Sequence, residues 1–306
     1  MSTATRTRRP TRNDSPKVDA YQQVTDQILE LLETGVAPWH KPWSSDGGNG
    51  MPRSLSTGKT YRGSNVFVLH MTAAVKGYNS PWWGTYKQIT ERGGQVRKGE
   101  KSTVVVFWKR ILVEDKDNPG ERKTVFFLNT YRVFNADQAD NLVCPELPAA
   151  PPPAERIEAC ETALTSYYTN AGPLLTFGGD RACYSPTRDH VFMPERDTFE
   201  SPAAFYGTWF HETVHSTGHQ SRLARKDLLE FHRFGDPSYS REELVAEMGA
   251  SFLAGMTGIA AETLPQSAAY LSSWIQVLKG DKTLLVKAAA QAQKAAELIL
   301  GTTAED

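Results

Sequence analysis

The sequence predicts an α+β protein of two domains: a mixed N-terminal domain and a mainly helical C-terminal domain with a small sheet. The length of 306 residues is about twice that of an average domain. A proline-rich run, VCPELPAAPPP at 143–153, favours an extended polyproline segment between domains. The formal charge changes sign at this run, because 1–143 hold 21 Lys+Arg and 14 Asp+Glu while the remainder holds 13 and 21. These observations predict a disordered basic tail at 1–17, domains at 18–143 and 154–306, and a proline-rich linker at 144–153.

The overall composition is that of an ordinary globular protein, with 40% hydrophobic and 23% charged residues. No stretch approaches the ~20 apolar residues that a membrane helix requires, so we expect no membrane partner. The basic N-terminal segment precedes no apolar run and is therefore not a secretory signal. Three cysteines without a C-x-x-C motif argue against a disulfide scaffold and against a cysteine zinc site, and they suggest a reducing cytoplasm.

The first domain is predicted to combine helices with a β-hairpin. Apolar residues recur at helical spacing in 18–32, and a glycine and a proline follow. Two β-branched and aromatic runs, 103–113 and 124–134, flank a charged Asp-Asn-Pro-Gly turn, which is typical of a hairpin. Shorter helices are expected at 65–76 and 85–92.

Helices dominate the prediction for the second domain. Ser201 and Pro202 supply an N-cap and a first-turn proline for a helix that reaches about residue 217. The other helices are expected at 155–170, 240–257, 266–278 and 282–300. Short strands are expected at 174–177, 182–184 and 190–193.

The most specific motif is an H-E-x-x-H pattern formed by His211, Glu212 and His215 inside a predicted helix. Residues four apart share a helix face, so both imidazoles can reach one cation. Glu212 can orient and deprotonate a water molecule, which makes it the candidate catalytic base. The motif predicts a Zn²⁺ site, with Mn²⁺ or Co²⁺ as alternatives, for metal-assisted hydrolysis, most often of a peptide bond. Tyr184 and Tyr239 are candidates to stabilise an oxyanion in the same cleft.

A catalytic zinc ion needs a third protein ligand, and three positions compete for that role. The metzincin pattern would place a histidine where this chain has Ser221, whose hydroxyl is a poor zinc ligand. His219 follows the expected end of the helix and suits the mouth of the cleft better. Glu243 and Glu247 share a face of the next long helix. We assign Glu243 as the ligand and Glu247 as acceptor of the free N–H of a ligand histidine, with an exchange of these roles left open.

The basic half holds five of the seven tryptophans, several beside cations in expected loops. Exposed aromatic rings stack on unpaired bases while lysine and arginine contact phosphates, and no double-strand reader motif is visible. Single-stranded DNA is therefore the expected partner. Trp108, inside an apolar strand, is expected to belong to the core. The candidate DNA-binding residues are Trp39, Lys41, Trp43, Arg62, Trp82, Trp83, Arg97, Lys98 and Lys101.

Six segments together carry a family resemblance across about residues 18–258. They are PWHKPW at 38–43, YRGSN at 61–65, KGEKS at 98–102, YRVFN at 131–135, HETVHSTGH at 211–219 and EELVAE at 242–247. In this combination the chain resembles the ArdC-type antirestriction proteins of conjugative plasmids and other mobile elements. Its first domain also resembles that of the plasmid TraC-type primases.

The resemblance implies a single-stranded-DNA-binding domain followed by a zincin-like metallopeptidase domain. The implied ligands are His211, His215 and Glu243, with Glu212 as base. The implied role is protection of incoming DNA from host restriction, with a host restriction-system protein as a candidate target. Two alternatives stay open: a DNA-binding restriction blocker whose metal site is not proteolytic, and a metallopeptidase that docks on another polyanion.

Overall fold

The computed structural model describes residues 19–33, 51–114, 122–147, 152–229, 237–259 and 268–302. The predicted basic tail lies outside these ranges, as do the three predicted DNA-binding residues Trp39, Lys41 and Trp43. The described part confirms the predicted α+β class, with mixed structure first and mainly helices afterwards.

The N-terminal part contains helices packed on a sheet. Its helices are α1 (Ala20–Leu32), α2 (Ser64–Lys76) and α3 (Tyr86–Glu91). Its strands are β1 (Arg53–Ser54), β2 (Trp82–Gly84), β3 (Gln95–Val96), β4 (Thr103–Glu114), β5 (Arg122–Asn135) and β6 (Ala139–Asp140). The larger sheet has the order β1-β2-β5-β4, and β3 pairs with β6 separately. Local residues mark the helix boundaries: a capping box of Thr85 and Gln88 begins α3, and Gly77 with a φ of 72° ends α2.

The predicted hairpin is present and is longer than expected. Strands β4 and β5 pair antiparallel without a break, from Thr103 opposite Val133 to Glu114 opposite Arg122. Near the base of the hairpin, Val104, Val105 and Val106 are buried against the helices. Towards its tip the side chains become exposed, so the hairpin reaches beyond the core.

The C-terminal part is mainly helical with a three-stranded sheet. Its helices are α4 (Pro153–Asn170), α5 (Pro202–Thr217), α6 (Lys226–Leu229), α7 (Pro237–Thr257), α8 (Ala268–Gly280) and α9 (Leu284–Leu300). Its strands are β7 (Leu174–Phe177), β8 (Cys183–Ser185) and β9 (His190–Met193), in the order β7-β9-β8. Strand β9 is central, parallel to β7 and antiparallel to β8. None of the described helices is both long and apolar enough to cross a membrane.

One hydrophobic core joins the two parts. It runs from α1, α2 and the hairpin base into α5, α7 and α9. At the junction the rings of Phe67 and Phe252 lie 4.9 Å apart. Met51 approaches α7 so closely that a Cβ on Gly255 would lie 2.6 Å from its sulfur. The parts therefore support each other by direct packing, in addition to the chain connection at 144–153.

Candidate metal centre and nucleic-acid surface

Helix α5 presents the H-E-x-x-H motif on a rigid support. Its first turn is capped by Ser201, whose hydroxyl accepts from the amide of Ala204 at 3.1 Å. The helix is fixed to α4 by polar contacts between side chains, with Tyr168 facing Thr213 at 3.0 Å and Tyr167 facing Ser216 at 2.9 Å. Both imidazoles of the motif are consequently buried in a defined position.

Three side chains converge on one point between α5 and α7. The Nε2 atoms of His211 and His215 lie 3.1 Å apart. The Glu243 carboxylate faces both, at 3.5 Å from the Nε2 of His211 and 3.4 Å from that of His215. One ligand atom from each of the three lies within 4.8 Å of the others, a spacing that one metal ion can bridge.

Each histidine also faces a carboxylate on its other ring nitrogen. The Nδ1 of His211 lies 3.5 Å from Glu247, and the Nδ1 of His215 lies 3.3 Å from Glu242. If both Nδ1 atoms carry their protons towards these carboxylates, both Nε2 lone pairs point at the Glu243 carboxylate and at each other. Such a set of converging acceptors is unfavourable without a cation, so the residues present fit a divalent metal.

The pKa values of the two histidines and Glu243 are shifted by their interactions with each other and with the neighbouring carboxylates. Burial lowers the pKa of His211, but Glu247 and Glu243 outweigh it, and the pKa lies above its usual value. The pKa of His215 is likewise raised, because Glu243 and Glu242 overcome the effect of burial. Burial raises the pKa of Glu243, yet the two imidazoles shift it well below its usual range. The centre thus holds its carboxylate ionised inside the protein.

A close contact between helices sets the distance from the histidines to Glu243. Gly249 of α7 packs against Val214 of α5, and a Cβ at this glycine would lie 2.7 Å from a Val214 methyl. Any larger residue would push α7 away from α5. Since Glu243 lies on α7, that movement would separate it from the imidazoles.

The roles of Glu242 and of Arg225 behind it were not predicted from the sequence. The buried Arg225 donates through Nε to Glu242 at 3.0 Å, and through Nη2 to the carbonyls of Val214 and His215. Gly218 leaves room for this guanidinium, because a Cβ there would lie 2.8 Å from Nη2. Arg225, Glu242 and His215 therefore form a buried chain that orients one imidazole. The adjacent Glu242-Glu243 pair on an apolar helix was a sequence sign that more than one carboxylate was engaged.

We expect Glu242→Gln to weaken divalent-metal binding by roughly 10- to 100-fold, a typical cost of removing such a supporting carboxylate. A chelator competition titration measures this directly. Arg225→Lys keeps the charge but loses the planar fork, so it should produce a loss in the same direction. Unchanged affinity in both variants, with melting temperatures like the parent, would show that the chain does not position His215.

The remaining predicted cleft residues have different surroundings. Glu212 is half-buried. Burial raises the pKa of the Cys183 thiol, and the negative charge of Glu212 raises it further. The hydroxyl of Tyr184 donates to Asp189 at 2.8 Å, and its role in stabilising an oxyanion stays a prediction. His219 faces Ser221 at 2.8 Å and lies outside the ligand cluster. Tyr239 is half-buried on α7, four residues before Glu243 and on the same helix face.

The structure reverses three predictions about tryptophans. Trp82 and Trp83 form strand β2 inside the larger sheet and are 5% and 1% exposed, so they cannot stack on bases. Trp108, which we expected in the core, is 54% exposed on the hairpin. Its ring makes an edge-on contact with Tyr21 of α1, at 6.4 Å between centroids, which leaves more than half of the residue exposed.

The exposed hairpin is rich in aromatic residues. Phe107, Phe126, Phe127 and Tyr131 accompany Trp108, each at least 45% exposed. Exposed Lys98 and Lys101 lie in the segment that leads into β4. Two arginines that were predicted to contact phosphates already pair with carboxylates. Arg97 pairs with Glu100 at 3.1 Å and Asp140 at 3.4 Å, and Arg62 pairs with Glu297. The exposed stacking surfaces therefore lie on the hairpin, whereas the sequence predicted them at Trp82 and Trp83.

Comparisons with known proteins match both parts of the chain. A model of the N-terminal domain of anti-restriction factor ArdC matches residues 18–134, and a model of a zincin-like metallopeptidase matches 162–291. Two crystal structures of the antirestriction ArdC protein from the R388 plasmid are similar, each with a TM-score of 0.71. The metal-free structure is 44% identical and the Mn(II)-bound one 42%; both cover 92% of this chain, and 96% and 97% of theirs.

The chain belongs to the ArdC antirestriction family.

Two further relatives are similar to this chain in sequence. An uncharacterized protein, y4eC of Sinorhizobium fredii (strain NBRC 101917 / NGR234), is 35% identical over 94% of this chain and 93% of its own length. A DNA primase TraC of Escherichia coli is 36% identical over 94% of this chain, but the match spans 20% of the primase. The similarity to TraC thus concerns a limited part of a much longer protein.

Family membership implies a divalent metal in the second domain, since that domain is zincin-like and a Mn(II)-bound relative is known. Among the residues that the structure describes, His211, His215 and Glu243 are the ones whose ligand atoms converge.

Proposed function

We propose that this antirestriction-family protein binds single-stranded DNA of a plasmid or other mobile element and carries a zinc-dependent peptidase site. Convergence of His211, His215 and Glu243, with Glu212 adjacent in sequence, supports the peptidase site most directly. A set of two histidines and one carboxylate is typical of catalytic zinc, and it also accepts Mn²⁺ or Co²⁺. Because restriction acts on DNA inside the recipient cell, the proposed place of action is the cytoplasm.

The proposed chemistry assigns each residue a separate task. A bound divalent ion would polarise a peptide carbonyl and activate water. Glu212 accepts the proton of the attacking water and returns it to the leaving amine. Glu242 lies within hydrogen-bonding distance of Nδ1 of His215, and Glu247 faces Nδ1 of His211 at 3.5 Å, so each carboxylate favours the imidazole orientation that directs Nε2 to the centre. A host restriction-system protein is the proposed class of target.

The two carboxylates on α7 should differ in their importance for metal binding. Glu243→Gln removes a charged ligand, and we expect it to lower metal affinity more than Glu247→Gln, which we expect to cost roughly 10- to 100-fold. Titration of both variants against the same chelator decides the order. A larger loss in Glu247→Gln would exchange their roles.

Hairpin aromatics support the DNA-binding half of the proposal, since exposed rings stack on bases that are not paired. We expect Trp108→Ala to weaken binding of an oligothymidylate, because one stacked base contributes roughly 1–3 kcal/mol. Fluorescence anisotropy with the full chain measures the effect. Leu174→Ala is the control for loss of an exposed apolar side chain, because Leu174 is 67% exposed on β7 of the second part.

Salt dependence separates stacking from charge. Lys98→Ala combined with Lys101→Ala should flatten the dependence of affinity on salt, whereas Trp108→Ala should leave that slope nearly unchanged. If the parent binds single strands and duplex equally at moderate salt, charge alone drives binding and the single-strand proposal is wrong.

A further inference from the structure

A groove of about 820 Å³ lies between the N-terminal sheet and helix α9 of the second part. The sheet side includes Tyr61, Phe107 and Tyr131, and the helix side includes Gln293, Lys294 and Glu297. Neither matched family region reaches residues 293–297. Both parts of the chain therefore contribute to this groove.

The lining combines aromatic rings with cations. The ring of Phe107 lies 6.1 Å from that of Tyr61 and 5.5 Å from that of Tyr131, in tilted and edge-on arrangements. Phe107 and Tyr131 are each 45% exposed. Lys59, Arg62 and Lys294 line the same groove. Aromatic faces for bases beside cations for phosphates are the features that recognise a single strand, whose bases are free to stack.

Glu297 places a negative charge in this groove, which disfavours binding of phosphates. It is the only carboxylate among the described residues that line the groove. It pairs with Arg62 and accepts from the side-chain amide of Gln293 at 3.0 Å. Glu297 is the less exposed partner, at 15% against 45% for the Arg62 side chain. The Glu297 carboxylate thus binds the Arg62 guanidinium at a position where a phosphate would otherwise bind it.

We propose that single-stranded nucleic acid binds in this groove and that one of its phosphates replaces Glu297 as the partner of Arg62. The proposal rests on the single-strand binding proposed above and assigns its location and an acidic competitor. Exchange at Arg62 removes one polar link between the two parts of the chain. Since α9 packs against α7, the bound strand lies on the helix that supports Glu243 and Glu247.

Glu297→Gln in the full chain tests this exchange. We expect it to raise the affinity for a labelled oligothymidylate roughly threefold to tenfold, because the repulsion between the Glu297 carboxylate and a phosphate disappears and Glu297 no longer competes for Arg62. The salt dependence should steepen by about one phosphate contact. Glu158→Gln changes the net charge equally on an exposed part of α4, and we expect it to leave affinity nearly unchanged.

A second pair of variants keeps the test decisive. Arg62→Ala should weaken binding, and in that background Glu297→Gln should have a smaller effect than in the parent. Lys294→Ala replaces an exposed residue and should weaken binding without altering the fold. Melting temperatures are compared throughout.

The outcomes distinguish the two proposals. A parent protein that does not prefer single strands over duplex would defeat the single-strand function itself. A parent that binds single strands, while Glu297→Gln behaves like Glu158→Gln and Lys294→Ala has no effect, would overturn the groove assignment and leave that function standing.

Discussion

Replacing both His211 and His215 with alanine is expected to abolish divalent-metal loading of the chain. The two imidazoles supply two of the three ligand atoms that converge between α5 and α7, and Glu243 alone cannot hold the ion in competition with water. Elemental analysis of protein loaded with Zn²⁺ and then dialysed should give about one ion per chain for the parent and none for the double variant.

His219→Ala is the matched control for this experiment. His219 is close in sequence but bonds to Ser221 and lies outside the ligand cluster, so its loss should leave metal content unchanged. Full metal content in the double variant would refute the proposed centre. Loss of metal on His219→Ala would instead reinstate that histidine as a ligand.

Much of the fold could be predicted because local features mark where elements begin and end. The predicted helices and strands of the second domain, and the hairpin of the first, agree with the observed ones to within three residues. Capping residues such as Ser201 and glycines such as Gly77 act within a few positions, so sequence alone reveals them. Short strands such as β1 and β2 were missed, because pairing with distant segments creates them.

Burial of the tryptophans was beyond sequence reasoning for a physical reason. Trp82 and Trp83 stand beside a proline and a glycine, which suggested a loop, yet the sheet covers both residues. Trp108 stands in an apolar run, yet its neighbours in the fold leave it 54% exposed. Exposure depends on which elements pack above a residue, and neighbouring residues in the sequence do not record that.

The candidate centre was more accessible to sequence reasoning because helical spacing alone brings His211 and His215 together. The contacts of Arg225 and Glu242 that support His215 could not be predicted in this way. Arg225 follows the end of α5, and its guanidinium reaches Glu242 only because the chain turns back over Gly218. Such a contact joins residues 17 positions apart in sequence, and no local spacing rule brings them together.

Glu212→Gln is expected to eliminate peptide hydrolysis while leaving metal content intact. Glu212 is not among the converging ligand atoms, and glutamine keeps its shape while losing the ability to accept a proton. General-base catalysis contributes about 10²- to 10⁴-fold, so the rate should fall by that factor. Hydrolysis of fluorescent casein by the metal-loaded full chain, with and without oligothymidylate, provides the measurement.

The same variant decides between proteolytic and non-proteolytic protection. Plasmid transfer into a restricting recipient, compared with transfer into a non-restricting one, measures protection in the cell. If the peptidase protects DNA, Glu212→Gln should lose protection as well as hydrolysis, whereas the exposed control Glu158→Gln should keep both. If protection survives without hydrolysis, the metal centre serves another purpose and DNA binding alone blocks restriction. In that case the hairpin variant Trp108→Ala should lose protection instead, because stacking on the single strand would then carry the function.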